Sequence, residues 1–408
     1  MNTLFLSDVV PYPPNLGRHQ RVYHLLKGVS ACSHVTFVCH TPSGAITPEL
    51  KALQPFYRTA VPFPSGSLAY RRDATLPRPR RLLKALRGYL DLREPFLVSC
   101  TRSPDAVRLV SQLCRRQHFD LVWVERLISL SMLPEWLDAR VVVDLDDVEH
   151  RRLAHRLRSG RLHWQVPLDA LECLKLRRLE RNLLRLPYEF AVCSTVDQEA
   201  IGGPPRVHVI PNGVSVPSVR PVPPGREPVF LFVGTMSLPP NADAACFFAR
   251  RILPRIRRRI PEARFLVVGH EPPASVRSLH DGARTIVTGS VPDVEPYLRQ
   301  CAVAVVPLRF GGGTRLKILE AMAHARPVVS TTVGAEGLDL EPGRHLLIAD
   351  GAAGFADACV ALAGDAAARE TLTAAAYEAV VTRYDWRDIE RRVQALVDGS
   401  RRPRVTLP

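Results

Sequence analysis

The sequence lacks most of the signals that would assign it at a glance. None of its nine cysteines forms a C-x-x-C pair and their number is odd. Neither a disulfide framework nor a zinc ribbon is supported, and a reduced, cytoplasmic protein is expected. No apolar run approaches the ~18 residues that a membrane span needs. The opening MNTLFLSDVVPYPP has no basic residue before its apolar stretch, and Asp8 interrupts that stretch, so it reads as a buried strand and not as a signal peptide. Aromatic residues make up 7% and form no stacking motif, which weighs against nucleic acid as a partner. Ser194 and Ser330 have no GxSxG context, so a serine hydrolase is not expected. His19/His24 and His150/His155 are five apart, and that spacing does not place two ligands on one helix face.

What is present describes a globular protein of two domains. A chain of 408 residues exceeds one hydrophobic core, and 46% hydrophobic with 23% charged residues excludes disorder. The net charge is +15, and residues 1–210 hold 30 of the 55 basic and 20 of the 40 acidic residues, hence +10 of the excess. Much of it lies in RRDATLPRPRRLLKALR (71–87) and around Arg151, Arg152, Arg156, Arg158 and Arg161. Such charge is either a solvated surface or an attraction to anionic lipid or phosphate-bearing substrates.

Short apolar runs alternate with helix-length segments throughout. Strands are expected at 4–10, 35–39, 121–124, 141–145, 190–194 and 207–210. A second series follows at 229–235, 264–270, 284–290, 303–308, 327–332 and 345–350. These runs do not alternate with polar residues, so both faces of each sheet should be covered, as in parallel α/β folds. The proline-rich stretch 214–228 separates the series and is the expected linker between domains at 1–213 and 229–384. In open parallel sheets ligands bind beyond the carboxyl ends of the strands, so the loops there should carry the chemistry.

The most informative loop begins after the strand ending near Leu308. Gly311, Gly312 and Gly313 precede a helix expected to open at about Thr314. Glycines admit close backbone approach, and a helix N-terminus offers unpaired N–H groups and partial positive charge, which suits a phosphate. Arg315 and Lys317 add two cations at the end of the helix where the dipole disfavours them, and Glu320 stands where it can accept hydrogen bonds from hydroxyls. An ordinary glycine turn before a helix would look the same, and with GK[ST] missing this is not a Walker loop.

GGGTRLKILEAMA followed by ARPVVSTTVGAEGL resembles the donor-binding signature of the GT-B glycosyltransferases of family 4, the glycosyl transferases group 1. The resemblance extends along most of the chain. PPNLGRHQRVYHLL, with Gly17, follows the first strand where that family has a glycine loop. IPNGV (210–214) closes the first domain, VGTMSLPPNADA opens the second, TGSVPDVEPYL (288–298) occupies the nucleotide-base loop, and RYDWRDI (383–389) starts a helix that returns to the first domain at about 385–400. The subtype with PPN after the first strand of the second domain resembles bacterial sugar transferases of exopolysaccharide and exosortase systems. The resemblance implies two Rossmann-like, doubly wound domains facing across a cleft, and metal-independent transfer of a sugar from a nucleotide-diphosphate donor with retention. It implies a glycan or lipid-linked acceptor in the first domain, and no separate cofactor. Donor contacts are implied at Gly234, Thr235, Asn241, Gly269, Gly289, Val291, Gly312, Gly313, Thr314, Arg315, Leu316, Lys317 and Glu320.

The chain departs from that family in three places. The second glutamate of the family's E-x7-E, which binds the donor ribose, matches Glu320, but the first falls on Gly312. The diphosphate-holding Arg and Lys fall near Thr235 and Pro240 or Asn241, so Arg315 and Lys317 are expected to replace them. The histidine near the reacting sugar falls on Asp146, with Asp147 beside it. Asp144, Asp146, Asp147 and Glu149 could face the acceptor, cap a helix or hold a metal, and the resemblance implies no metal. Two other readings stay open: a nucleotide-sugar epimerase of the same architecture, and a degenerate binding protein. The basic run Arg71, Arg72, Arg78, Arg80, Arg81, Lys84 and Arg87, followed by LLKALRGYL, is expected to bind the inner face of an anionic membrane peripherally.

Overall fold

A computed structural model describes residues 1–64, 88–89, 91–101, 103–134, 136–158, 166–203, 205–219 and 227–399. The basic run at 71–87, Arg161 and most of the proline-rich segment at 220–226 lie outside the described residues. The chain forms two compact units, Met1–Pro211 with the residues from Ile389 onward, and Asn212–Asp388.

In the first unit β1 (Asn2–Ser7), β2 (His34–Thr41), β3 (Thr59–Pro64), β4 (Leu121–Glu125), β5 (Arg140–Asp146), β6 (Glu189–Val192) and β7 (Val207–Val209) form one sheet in the order β3-β2-β1-β4-β5-β6-β7. In the second, β8 (Val229–Val233), β9 (Arg264–Val268), β10 (Thr285–Gly289), β11 (Val303–Val306), β12 (Val328–Ser330) and β13 (Leu347–Ile348) run in the order β10-β9-β8-β11-β12-β13. Every pairing is parallel. Val/Leu/Phe-rich strands such as VFLFV are buried on both faces because helices cover both sides of a parallel sheet. Trp123 stacks on Phe5 at 6.2 Å in the first core, and Phe248 packs against Phe230, Phe265 and Phe355 in the second.

Twelve of these strands lie where apolar runs predict them. The thirteenth, β3, reads TAVPFP, and its prolines hide it from a propensity argument. It sits at the sheet edge, the one place where a strand tolerates residues that cannot donate to a neighbour. The helix-length segment after β8 is also less regular than its pattern suggests. It runs as an α-helix over Pro239–Phe247, a π-turn over Phe248–Ile252 and an α-helix over Leu253–Arg257. Pro254 explains the break, because its ring would strike the carbonyl four residues earlier in a regular helix and it has no N–H to give.

The final helix, Trp386–Asp398, begins in the second unit and ends in the first. Glu390 meets His24 Nδ1 at 2.6 Å and Lys27 Nζ at 2.9 Å on helix Gly17–Ser30. Arg140 at the start of β5 donates to the Leu396 carbonyl at 3.0 Å. These contacts tie the last turns of the helix into the first unit.

Candidate functional site

Both sheets reverse their direction of growth beside their first strand, between β1 and β4 and between β8 and β11. Loops leaving the two strands at such a point diverge and open a crevice beyond their carboxyl ends. In the second unit the loop after β8 carries Gly234 and Thr235, and the loop after β11 carries Gly311, Gly312, Gly313, Thr314 and Arg315.

Helix Leu316–Ala323 opens two residues later than its sequence suggests, with Arg315 as N-cap and Thr314 still in the loop. Ile318, Leu319, Ala321 and Met322 anchor it in the core, and its first turn carries no acidic residue. The Arg315 guanidinium folds back and donates to the Gly312 carbonyl, bracing the glycine loop. Lys317 reaches instead toward the loop after β8. Its Nζ donates to Asn241 Oδ1 at 2.7 Å and stands 4.4 Å from the centre of the Phe232 ring. Asn241 Nδ2 donates to the Thr235 carbonyl at 2.9 Å, so one amide joins the two loops.

Gly234 makes the room for this arrangement. A Cβ there would come within 2.8 Å of Lys317 Nζ and 2.9 Å of Asn241 Nδ2. Gly269, at φ +148°, lies so close that a Cβ would overlap the Gly234 carbonyl, and its N–H donates to the Gly289 carbonyl at 3.1 Å. The loops after β8, β9 and β10 are therefore stacked backbone to backbone, which only a residue without a side chain permits. Beside them His270 Nδ1 meets Ser290 Oγ at 2.7 Å. Val291 and Leu316 are half-buried against the core and supply apolar surface.

Burial lowers Lys317 to about 7, Arg315 acts in the same direction, and Glu320 opposes them. Burial raises the Glu320 carboxyl above its usual range, and Lys317 partly offsets this. The second unit thus holds a half-buried ammonium whose hydrogen-bond acceptor is a neutral amide. An approaching anion would be met by charge that the fold itself leaves largely uncompensated.

The corresponding edge of the first unit is arranged differently. Gly17 opens helix Gly17–Ser30, which presents Arg18 and Arg21 one turn apart. Arg18 pairs with Glu125 at 2.8 Å and with Asp8. Arg21 is buried and grips Asp144 through Nε at 2.9 Å and NH2 at 2.5 Å, while NH1 donates to the Ile210 carbonyl. Arg126 and Arg152 both hold Glu149, and Arg151 holds Asp197. Ser194 caps helix Thr195–Ile201 by accepting from the Asp197 N–H at 3.1 Å, a structural role.

Asp146 ends β5 with φ +56°, at a register shift against β6, and accepts from the Cys193 thiol at 3.3 Å. Burial works against its charged form, but Arg21 and Arg126 outweigh it and hold the carboxyl below its usual range. Asp147 has no hydrogen-bond partner for its carboxyl among the described residues. Burial, reinforced by Asp146, pushes it up to about 7 against the pull of Arg126. Of the four acids of 144–149, Asp144 and Asp146 thus share Arg21, and Glu149 is held by Arg126 and Arg152. Among the described residues no three His, Cys, Asp or Glu side chains are grouped to hold a metal ion.

Of the residues picked from sequence, the structure brings together Gly234, Thr235, Asn241, Gly269, Gly289 and Lys317, with Gly312, Gly313, Thr314 and Arg315 on the adjoining loop and Glu320 one turn beyond Lys317. Two contributors escape a reading of loops. Phe232 lies inside β8 and has no sequence mark of its contact with Lys317. Arg126, at φ +64° after β4, reads as an ordinary charged residue.

Residues 227–365 match the family described as Glycosyl transferases group 1. The two parallel sheets in this order, together with structural likeness over nearly the whole chain, give the GT-B fold. The family match thus lies within the second unit, and the likeness along the rest of the chain is one of fold. Among solved structures, the chain is similar to a sucrose-phosphate synthase from Thermosynechococcus elongatus (TM-score 0.70, 18% identity, 98% of each chain). It is also similar to HepE of Anabaena in complex with UDP and glucose (TM-score 0.64, 14% identity, 98% of this chain and 100% of that one). Among curated proteins, a phosphatidyl-myo-inositol mannosyltransferase of Mycobacterium leprae is 30% identical over 200 residues, 46% of this chain and 52% of that protein. An uncharacterized 44.6 kDa protein in the cps region of Klebsiella pneumoniae is 27% identical over 128 residues, 29% and 33% of the two chains. The chain thus spans between a third and about half of the length of these curated relatives.

Proposed function

We propose that this protein is a glycosyltransferase that moves a sugar from a nucleoside-diphosphate donor held by its second unit to a glycan or lipid-linked acceptor. The observation that carries the reading is the Lys317 ammonium. It stands over Gly234 at the strand-order reversal, beside a glycine loop and a helix N-terminus with no acidic first turn. A leaving diphosphate gathers negative charge as the glycosidic bond breaks, and fixed donors that need no reorganisation stabilise it. Lys317, with Arg315 and the N–H groups of residues 312–314, meets the diphosphate. Glu320 accepts from the ribose hydroxyls, and the stretch Gly289–Val291 lies on the side of the base. Asp146 is the catalytic candidate of the first unit.

Retention and independence from metal belong to this reading, since the cations and helix terminus supply the electrostatics a divalent ion would otherwise give. HepE, solved with UDP and UDP-glucose, and the mannosyltransferases named for phosphatidyl-myo-inositol support a nucleotide-sugar donor and a lipid or glycan acceptor. No helix among the described residues is long and apolar enough to cross a membrane. A cytoplasmic enzyme that binds the inner face of the membrane peripherally, through the basic first unit, completes the proposal.

A thermal-shift panel of UDP, GDP, ADP and TDP tests the donor half, because a ligand that binds only the native state raises its melting temperature. One of the four should do so in the presence of a chelator, and Glu320→Ala should weaken that ligand by about 1.5–3 kcal/mol without lowering the melting temperature of the free protein. Stabilisation that requires added metal would refute metal independence, and full affinity in Glu320→Ala would remove the ribose role.

A further inference from the structure

Asn241 sits at the start of helix Pro239–Phe247, where two prolines fill the first helical positions and the Asn241 N–H donates to the Leu238 carbonyl at 3.0 Å. Its side chain is buried and its orientation is fixed by its neighbours' chemistry. An ammonium can only donate and a carbonyl can only accept, so Oδ1 must face Lys317 and Nδ2 must face Thr235. Both ends of the amide are satisfied, and turning it over would break both bonds.

We propose that Asn241 is a positioning residue that holds the Lys317 ammonium over Gly234 in the place where the donor diphosphate arrives. This rests on the reading that the second unit binds a nucleoside diphosphate. The residue type matters. A carboxylate at this position would close an ion pair like Arg21–Asp144 in the first unit, leaving no positive charge for a ligand, and would lose the donor to Thr235. An apolar residue would leave the ammonium over Phe232 and Gly234 with no acceptor, favouring its neutral form. An amide does neither. It fixes the position of the charge without cancelling it, and the groups left to act on Lys317 by charge are Arg315 and Glu320 of its own helical segment.

The test is a pH titration of the Lys317 side chain by NMR in the ligand-free full-length protein, alongside binding of UDP, GDP, ADP and TDP at pH 6. Asn241→Asp should move the Lys317 midpoint up by about one unit or more, and Asn241→Leu should move it down. Both should weaken the nucleoside diphosphate at least tenfold while leaving the bare nucleoside unchanged, and Asn241→Gln should recover part of the loss. Unmoved midpoints in both variants overturn the positioning role whatever the ligand does. Should Asn241→Leu fail to fold, Asn241→Asp decides alone. A wild-type protein that binds none of the four diphosphates refutes the donor reading, and with it the diphosphate half of this proposal, even where the midpoints move.

Discussion

The carboxyl edges of the two sheets are built from similar residues to opposite electrostatic ends. In the first unit Arg18, Arg21, Arg126 and Arg151 each grip a carboxylate, and the pair Arg21–Asp144 is almost wholly buried. In the second, Lys317 leans on an amide. The first arrangement is a scaffold whose charges hold its own loops in place. The second keeps a charge in reserve at a real cost, since a half-buried ammonium without a carboxylate partner is disfavoured until an anion comes. A surplus of basic residues in the sequence therefore says little about where anions bind; what the cations are paired with says more.

The comparison can be broken most directly at Arg21. Arg21→Met should strand Asp144 as an unpaired buried carboxylate and cost about 3–5 kcal/mol of stability, measured by denaturant unfolding, with nucleoside-diphosphate affinity unchanged. A variant of full stability that has lost the ligand would mean that the first edge is a binding surface after all. Lys317→Met should show the reverse: about 1.5–3 kcal/mol of diphosphate affinity lost, with stability at pH 7 raised and not lowered.

Lys317 also sharpens the comparison through pH. Burial lowers it in the folded protein to about 7, against about 10.5 for an exposed lysine. Between these values the unfolded chain binds more protons, so this group makes the free protein more stable as pH rises through the window. Diphosphate binding needs the ammonium and should fall over the same range, and Lys317→Met should flatten both trends. The smallest effect is expected at Asp147, whose carboxyl is raised from 3.8 to about 7. Here the folded state binds more protons across the window, so stability should fall as pH rises from about 4 to 7. Asp147→Asn should erase that slope, visible as a melting-temperature difference that grows up to pH 7 and then levels off. A flat wild-type profile would show that Asp147 is already ionised well below neutrality.

Much of this was legible in the sequence because parallel sheets announce themselves. Runs such as VFLFV and VVVDL need apolar residues on both faces, and the loops that follow them are short enough to locate by eye. The strand TAVPFP was not legible, since its prolines are tolerated only because it lies at an edge, which is a fact of topology. The segment around Pro254 has the pattern of one continuous helix, and its π-turn was not legible. At the site, glycines and cations near one helix start marked the region, whereas partners did not show. Arg21 finds Asp144 from 123 residues away, and Lys317 finds Asn241 from 76. Nothing in a linear reading distinguishes a cation already held by an acid from one left over an amide.

The return of the last helix sets an order on how the molecule can be made. Residues 212–388 contain everything their sheet and core require, but the first unit is finished only when Glu390 reaches His24 and Lys27 and the Leu396 carbonyl reaches Arg140. During synthesis the unit that begins first is thus completed last, and it waits without that helix while the whole of the second unit emerges and folds. A stop codon shortly before residue 389 would spare the second unit and leave the first with an uncovered flank, so a cut beyond the second unit would be felt in the first.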